Sequence, residues 1–75
     1  MRVIATIPHT EMRISIFGMN HKYILKLEWG PLEQSYKWDE YDFQNLEEFI
    51  NRVQTSDLLS ISLDRFKQMS AHLSI

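Results

Sequence analysis

Three histidines, His9, His21 and His72, are the side chains best suited to proton transfer near neutral pH. A zinc site needs three or four ligands, and two histidines at helical spacing would announce one. Here they fall on a loop, on a turn and late in a helical stretch, with no local pairing. They read as surface and turn residues, and no metal site is expected. Pro8-His9-Thr10 follows a strand end, where an exposed loop could display a binding residue. A serine or threonine nucleophile would need a base and an oxyanion donor beside it. No serine or threonine sits in a glycine-flanked elbow, and two glycines cannot build a phosphate cradle. Asp39, Glu40 and Asp42 could be imagined as a carboxylate pair, but they read more simply as a solvated, helix-capping loop. The absence of cysteine excludes disulfides, thiolate metal sites and cysteine catalysis. No catalytic, cofactor or metal residue is expected, and the chain does not read as an enzyme.

The elements that would position any site must fit into 75 residues. That is one domain, near the lower limit for folding without staples. Apolar residues make up 44% and charged residues 24%, a globular rather than a disordered balance. The net charge of −2 lacks the strongly basic footprint of a nucleic-acid binder. Residues 1–38 hold five cations against three acids, and residues 39–75 hold three against seven. The first half is mildly basic and the second acidic. No apolar run approaches the roughly 20 residues of a membrane helix. The opening MRVIATIPHTE lacks a signal-peptide core and cleavage pattern, so a soluble cytoplasmic protein is expected.

The first half alternates with period two. VIATI (3–7) is short, β-branched and stopped by Pro8. MRISIF (12–17) sets Met12, Ile14 and Ile16 against Arg13, Ser15 and Phe17. Gly18-Met19-Asn20-His21 supplies turn chemistry. KYILKLEW (22–29) places Tyr23, Leu25, Leu27 and Trp29 on one face and Lys22, Ile24, Lys26 and Glu28 on the other. After Gly30-Pro31, LEQSYKW (32–38) sets Leu32, Gln34, Tyr36 and Trp38 against Glu33, Ser35 and Lys37. This pattern predicts an antiparallel meander of three to four strands with one buried face.

The second half, 42–73, changes to period 3.6. Asp42 is a plausible N-cap, and Phe43, Leu46, Phe49, Ile50 and Val53 form an apolar stripe. After Thr55-Ser56, with Ser56 as a cap, a second helix is predicted over 57–73. Its stripe is Leu59, Leu63, Phe66, Met69 or Ser70, and Leu73. A short strand over 58–61 is the alternative there. The fold class is α+β: a β-meander (1–38) followed by two α-helices (42–73) packed on one face.

Tyr23, Trp29, Tyr36, Trp38 and Tyr41 cluster in the last two strands and the loop after them. The first reading of such a cluster is core and junction packing. Exposed rings beside Lys26 and Lys37 would instead make a contact site. Phe17 and Ile24 are apolar exceptions on the face that should be wet, across a hairpin from each other. They point to a covered second face or to an apolar patch for a partner.

The stretch from Ile7 to Trp38 resembles a family of short, uncharacterised bacterial proteins of the Bacteroidota–Chlorobi type. The residues carrying the resemblance are Ile7-Pro8-His9, Asn20 to Leu25 with His21 inserted before Lys22, Gly30 to Gln34, and Leu63 to Met69. It implies a meander plus helices and carries over no activity. A weaker likeness, of shape alone, is to three-stranded DNA-binding sheets followed by a helix, seen over 22–53.

A non-enzymatic interaction module or homo-oligomer is the expected function. Its candidate contacts are Phe17, Ile24, Lys26 and Lys37 on the outer sheet face and Trp38 and Tyr41 at the junction. The alternative is weak nucleic-acid binding by Arg13, Lys22, Lys26 and Lys37.

Overall fold

The computed structural model describes residues 2–73, with the side chains of His72 and Leu73 outside the description. Four strands, β1 (Arg2–Ile7), β2 (Arg13–Met19), β3 (Lys22–Trp29) and β4 (Leu32–Asp39), form one antiparallel sheet in sequence order. A single 3-10 turn, Glu40–Asp42, leads to α1 (Leu46–Thr55) and α2 (Leu58–Leu73). The expected α+β meander with two helices is the observed fold.

Both long hairpins are set by two-residue turns. Met19 pairs with Lys22 and Trp29 with Leu32. Asn20 and His21 have φ of 51° and 61°, the two positive angles of a type I′ turn. Gly30 has φ of 60° ahead of Pro31, the pattern of a II′ turn. Gly18 and Met19, expected in the turn, belong to β2 instead. An Asn-His pair suffices to reverse the chain, so the ladder runs two residues further.

The inner face carries Ile14, Ile16, Leu25 and Leu27, all fully buried. Phe49 and Val53 of α1 and Phe66 of α2 close over them. Burying each such side chain contributes roughly 1.5–3 kcal/mol. A bulge between Val3 and Ala5 shifts the register of β1 against β2. It lets Ile4 and Ala5 both pack toward the core.

Asp42 does not cap α1. It closes the 3-10 turn, Phe43 is extended, and Asn45 is the N-cap. Asn45 Oδ1 accepts from Glu48 N at 2.8 Å, and Glu48 Oε2 accepts from Gln44 N at 2.7 Å. Asn45 therefore satisfies an orphan donor of the first turn, and Glu48 ties down the residue before the cap. Phe43 still packs on Phe49, edge to face at 4.9 Å, but from outside the helix. Residues 58–61 are helical rather than a strand. Ser56 is the C-cap of α1; its Oγ also accepts from Leu58 N at 3.3 Å, while the carbonyl that opens α2 is that of Asp57, which accepts from Ile61 N at 3.0 Å. On α2 the core position is taken by half-buried Ser70, while Met69 is exposed. Ser62 is also fully buried, a polar residue absent from the expected stripe.

Candidate functional site

Among the described residues, no helix covers the outer face of the sheet. The strand register places four rows across it: Arg13–Glu28–Glu33, Thr6–Ser15–Lys26–Ser35, Val3–Phe17–Ile24–Lys37 and Met19–Lys22–Asp39. Phe17, Ile24 and Lys37 are therefore brought into one row, with Lys26 in the next. The row's apolar part is graded. Ile24 is only 7% exposed, Phe17 is half-buried, and Val3 at the β1 edge is 52% exposed. Ile24 is thus buried by its neighbours on an open face. The accessible apolar surface of this row lies at Phe17 and Val3.

The cations of this face divide into two pairs. Lys22 Nζ lies 2.6 Å from Asp39, and Lys26 Nζ lies 3.4 Å from Glu33 and 3.9 Å from Glu28. Arg13 and Lys37 have no carboxylate within ion-pairing distance among the described residues.

Trp38 and Tyr41 do not form one site. Trp38 faces inward and packs on Phe49, ring centroids 5.4 Å apart. It lines an open cleft of about 490 Å³ with Phe43, Phe49 and Val53 as floor and Asp42 and Arg52 as rim. The Arg52 guanidinium stands 5.7 Å from the Phe43 ring centroid, where the ring face attracts a cation. The aromatic floor with one charge of each sign could take an apolar or aromatic side chain. Tyr41 is 76% exposed and stacks on His21 at 5.6 Å. It is held outside that cleft.

His9 and His21 serve local structure. His9 Nδ1 accepts from Glu11 N at 3.0 Å and from Met12 N at 3.2 Å. His21 Nδ1 lies 3.0 Å from Glu40 Oε1. Among the described residues, no group of three or more His, Asp or Glu stands close enough to hold a metal ion. No helix there is long and apolar enough to cross a membrane. Tyr23 is buried beneath Phe43 and Phe49, with ring centroids 6.1 and 4.7 Å away. Burial first, and the Glu40 carboxylate second, push its phenol above the ordinary tyrosine value.

Expectation from the sequence passed over two features. One is the flank of α2 along β4. Arg65 Nη1 donates to the Tyr36 hydroxyl at 3.0 Å, and Ile61 and Met69 stand one turn to either side of Arg65, 47% and 38% exposed. Ile61 and Met69, at i and i+8 with Arg65 between them at i+4, were legible as a second helix face, but the stronger core stripe obscured it. The other is the length and regularity of the β4 edge.

No family model, curated protein or solved structure matches this chain.

Proposed function

We propose that this chain is a non-enzymatic protein-interaction module that docks a partner on the uncovered face of its sheet. The observation that supports it is the graded apolar row. Val3 and Phe17 offer their side chains at the β1 side of a face with no helix over it. Isolated apolar residues on a surface are ordinary, but a cross-strand row on a bare sheet face is a recognition surface. Arg13, unpaired two residues along β2 from Ser15, favours a partner with a carboxylate beside its apolar contact. The absence of cysteine suits a reducing, cytoplasmic setting.

Nucleic-acid binding is the weaker reading. Of its four cations, Lys22 and Lys26 are already engaged by carboxylates. Two remaining cations would release few counterions.

Pull-down from native lysate with nuclease, comparing the wild type with Val3→Asp and Phe17→Ser, tests both readings. A stoichiometric protein that survives nuclease and is lost with the folded variants is the expected result. Recovery that vanishes with nuclease would replace this reading with the nucleic-acid one. Equal recovery with all three chains would move the contact off this face.

A further inference from the structure

Both edges of the sheet are open, and they differ. β1 is six residues long and interrupted by its bulge. β4 has eight residues, pairs with β3 without interruption, and contains no proline. A bulged edge resists strand addition, and a long regular one invites it. The II′ hairpin makes Trp29–Leu32 a doubly bonded pair, and bonding alternates from there. Leu32, Gln34, Tyr36 and Trp38 therefore turn their backbone groups to β3. Glu33, Ser35, Lys37 and Asp39 turn theirs outward.

From this edge we infer that the chain forms a twofold dimer through β4, in the register that sets Ser35 opposite Ser35 of a second copy. The sequence of β4 selects that register. Centred on Ser35, Glu33 faces Lys37 of the second copy, and Lys37 faces its Glu33. Centred on Tyr36, Glu33 would face Asp39. Centred on Lys37 or on Glu33, a charge would face its own copy. Centred on Gln34, no opposite charges meet. Opposite charges directly across a ladder stabilise it, and like charges oppose it. Registers centred between residues would send inward side chains to the wrong face.

Among the described residues Lys37 has no carboxylate of its own chain within ion-pairing distance, and the second copy would supply one. On the inner face the same register sets half-buried Leu32 opposite Trp38 and Gln34 opposite Tyr36. Each of these pairs then repeats across the axis.

The helical layer agrees independently. Arg65 is tied to Tyr36, so the flank of α2 carrying Ile61 and Met69 adjoins the β4 edge. Pairing two copies along β4 brings these flanks together under the joined sheet. Two of the exposed large apolar residues would be covered there. The dimer would be a continuous eight-stranded sheet with paired α2 helices beneath its centre.

This interface is separate from the open face at Val3 and Phe17, so the two readings fail separately. Sedimentation equilibrium of the full chain tests it. The wild type is expected to be dimeric. Glu33→Lys and Lys37→Glu each place like charges opposite one another twice, and each should weaken association at least about tenfold. Mixed in equal amounts, the two variants restore both opposite-charge pairs and should form a heterodimer. Val3→Asp, at the other edge, should remain dimeric. Circular dichroism checks that each variant is folded. Ser35→Cys gives a second readout in a chain that has no cysteine. Under mild oxidation it should link two copies faster than Ser60→Cys does, since directly opposed strand residues stand within disulfide reach. A monomeric wild type would overturn the inference. So would charge-reversed variants that remain dimeric, or a mixture of folded variants that stays monomeric.

Discussion

Gln34 Nε2 donates to the backbone carbonyl of Ser62 at 2.9 Å, tying the edge strand β4 to the middle of α2. The contact is close because Ser62 is small, and its side chain is fully buried at the crossing. Its hydroxyl has no hydrogen-bond partner among the described residues. A buried, unpaired hydroxyl costs about 1–3 kcal/mol. Ser62→Ala keeps the small volume and removes the unpaired group. It should raise stability by about 1 kcal/mol, or roughly 4–8 °C in Tm for a domain of this size. A melting curve no higher than that of the wild type would mean that the hydroxyl is satisfied in solution.

Alkaline titration should weaken the fold through Tyr23. Its phenol is held above the ordinary value by burial and then by Glu40. The unfolded chain therefore loses the Tyr23 proton first, and the folded chain retains it. Stability from this group is intact below about pH 10 and declines as pH rises beyond the unfolded tyrosine pKa. Urea unfolding across that range should show the decline, and Tyr23→Phe should flatten it. An equal slope in both proteins would show that Tyr23 is not the cause of the loss.

Ile24 separates burial from coverage by a helix. It lies on the bare face yet exposes only 7% of its surface. Ile24→Asp would put a carboxylate among Phe17 and the lysine stems and should cost about 2–4 kcal/mol. Val3→Asp, in the same row but at the rim, should fall within about 0.5 kcal/mol of the wild type. Equal urea midpoints for the two variants would show that Ile24 opens readily to water.

Gly30 offers a test of backbone strain alone. Its φ is +60°, and a Cβ added there would meet nothing within 4 Å. Gly30→Ala should therefore cost only the strain of a positive φ, about 1–3 kcal/mol. A larger loss would mean that the turn itself changes type.

Alternation and turn residues carried most of this architecture in the sequence. Tyr23, Leu25 and Leu27 are core as their period-two spacing requires, and Phe17 does pair with Ile24. The start of α1 was misread because Asp42 and Asn45 are both good caps three residues apart. What separates them is a 3-10 turn stabilised by Phe43 N donating to Glu40 O at 3.1 Å, which period alone does not reveal. Ser62 was missed because a polar residue at a core position carries no hydropathy signal. Its burial follows from how closely α2 approaches β4. Trp38 and Tyr41 are neighbours in sequence but part company, because the strand's alternation aims Trp38 inward before the chain turns.

The bulge at Val3–Ala5 also limits how far strand pairing can go. A sheet with two equally regular edges could add copy after copy and grow into a filament. Here one edge is smooth and the other is broken, which leaves β4 as the edge that favours strand addition. In the proposed dimer, growth by this route would end once two smooth edges had met. The same bulge that lets Ile4 reach the core thus disfavours strand addition at the β1 edge, and works against the growth of an exposed β-sheet into a polymer.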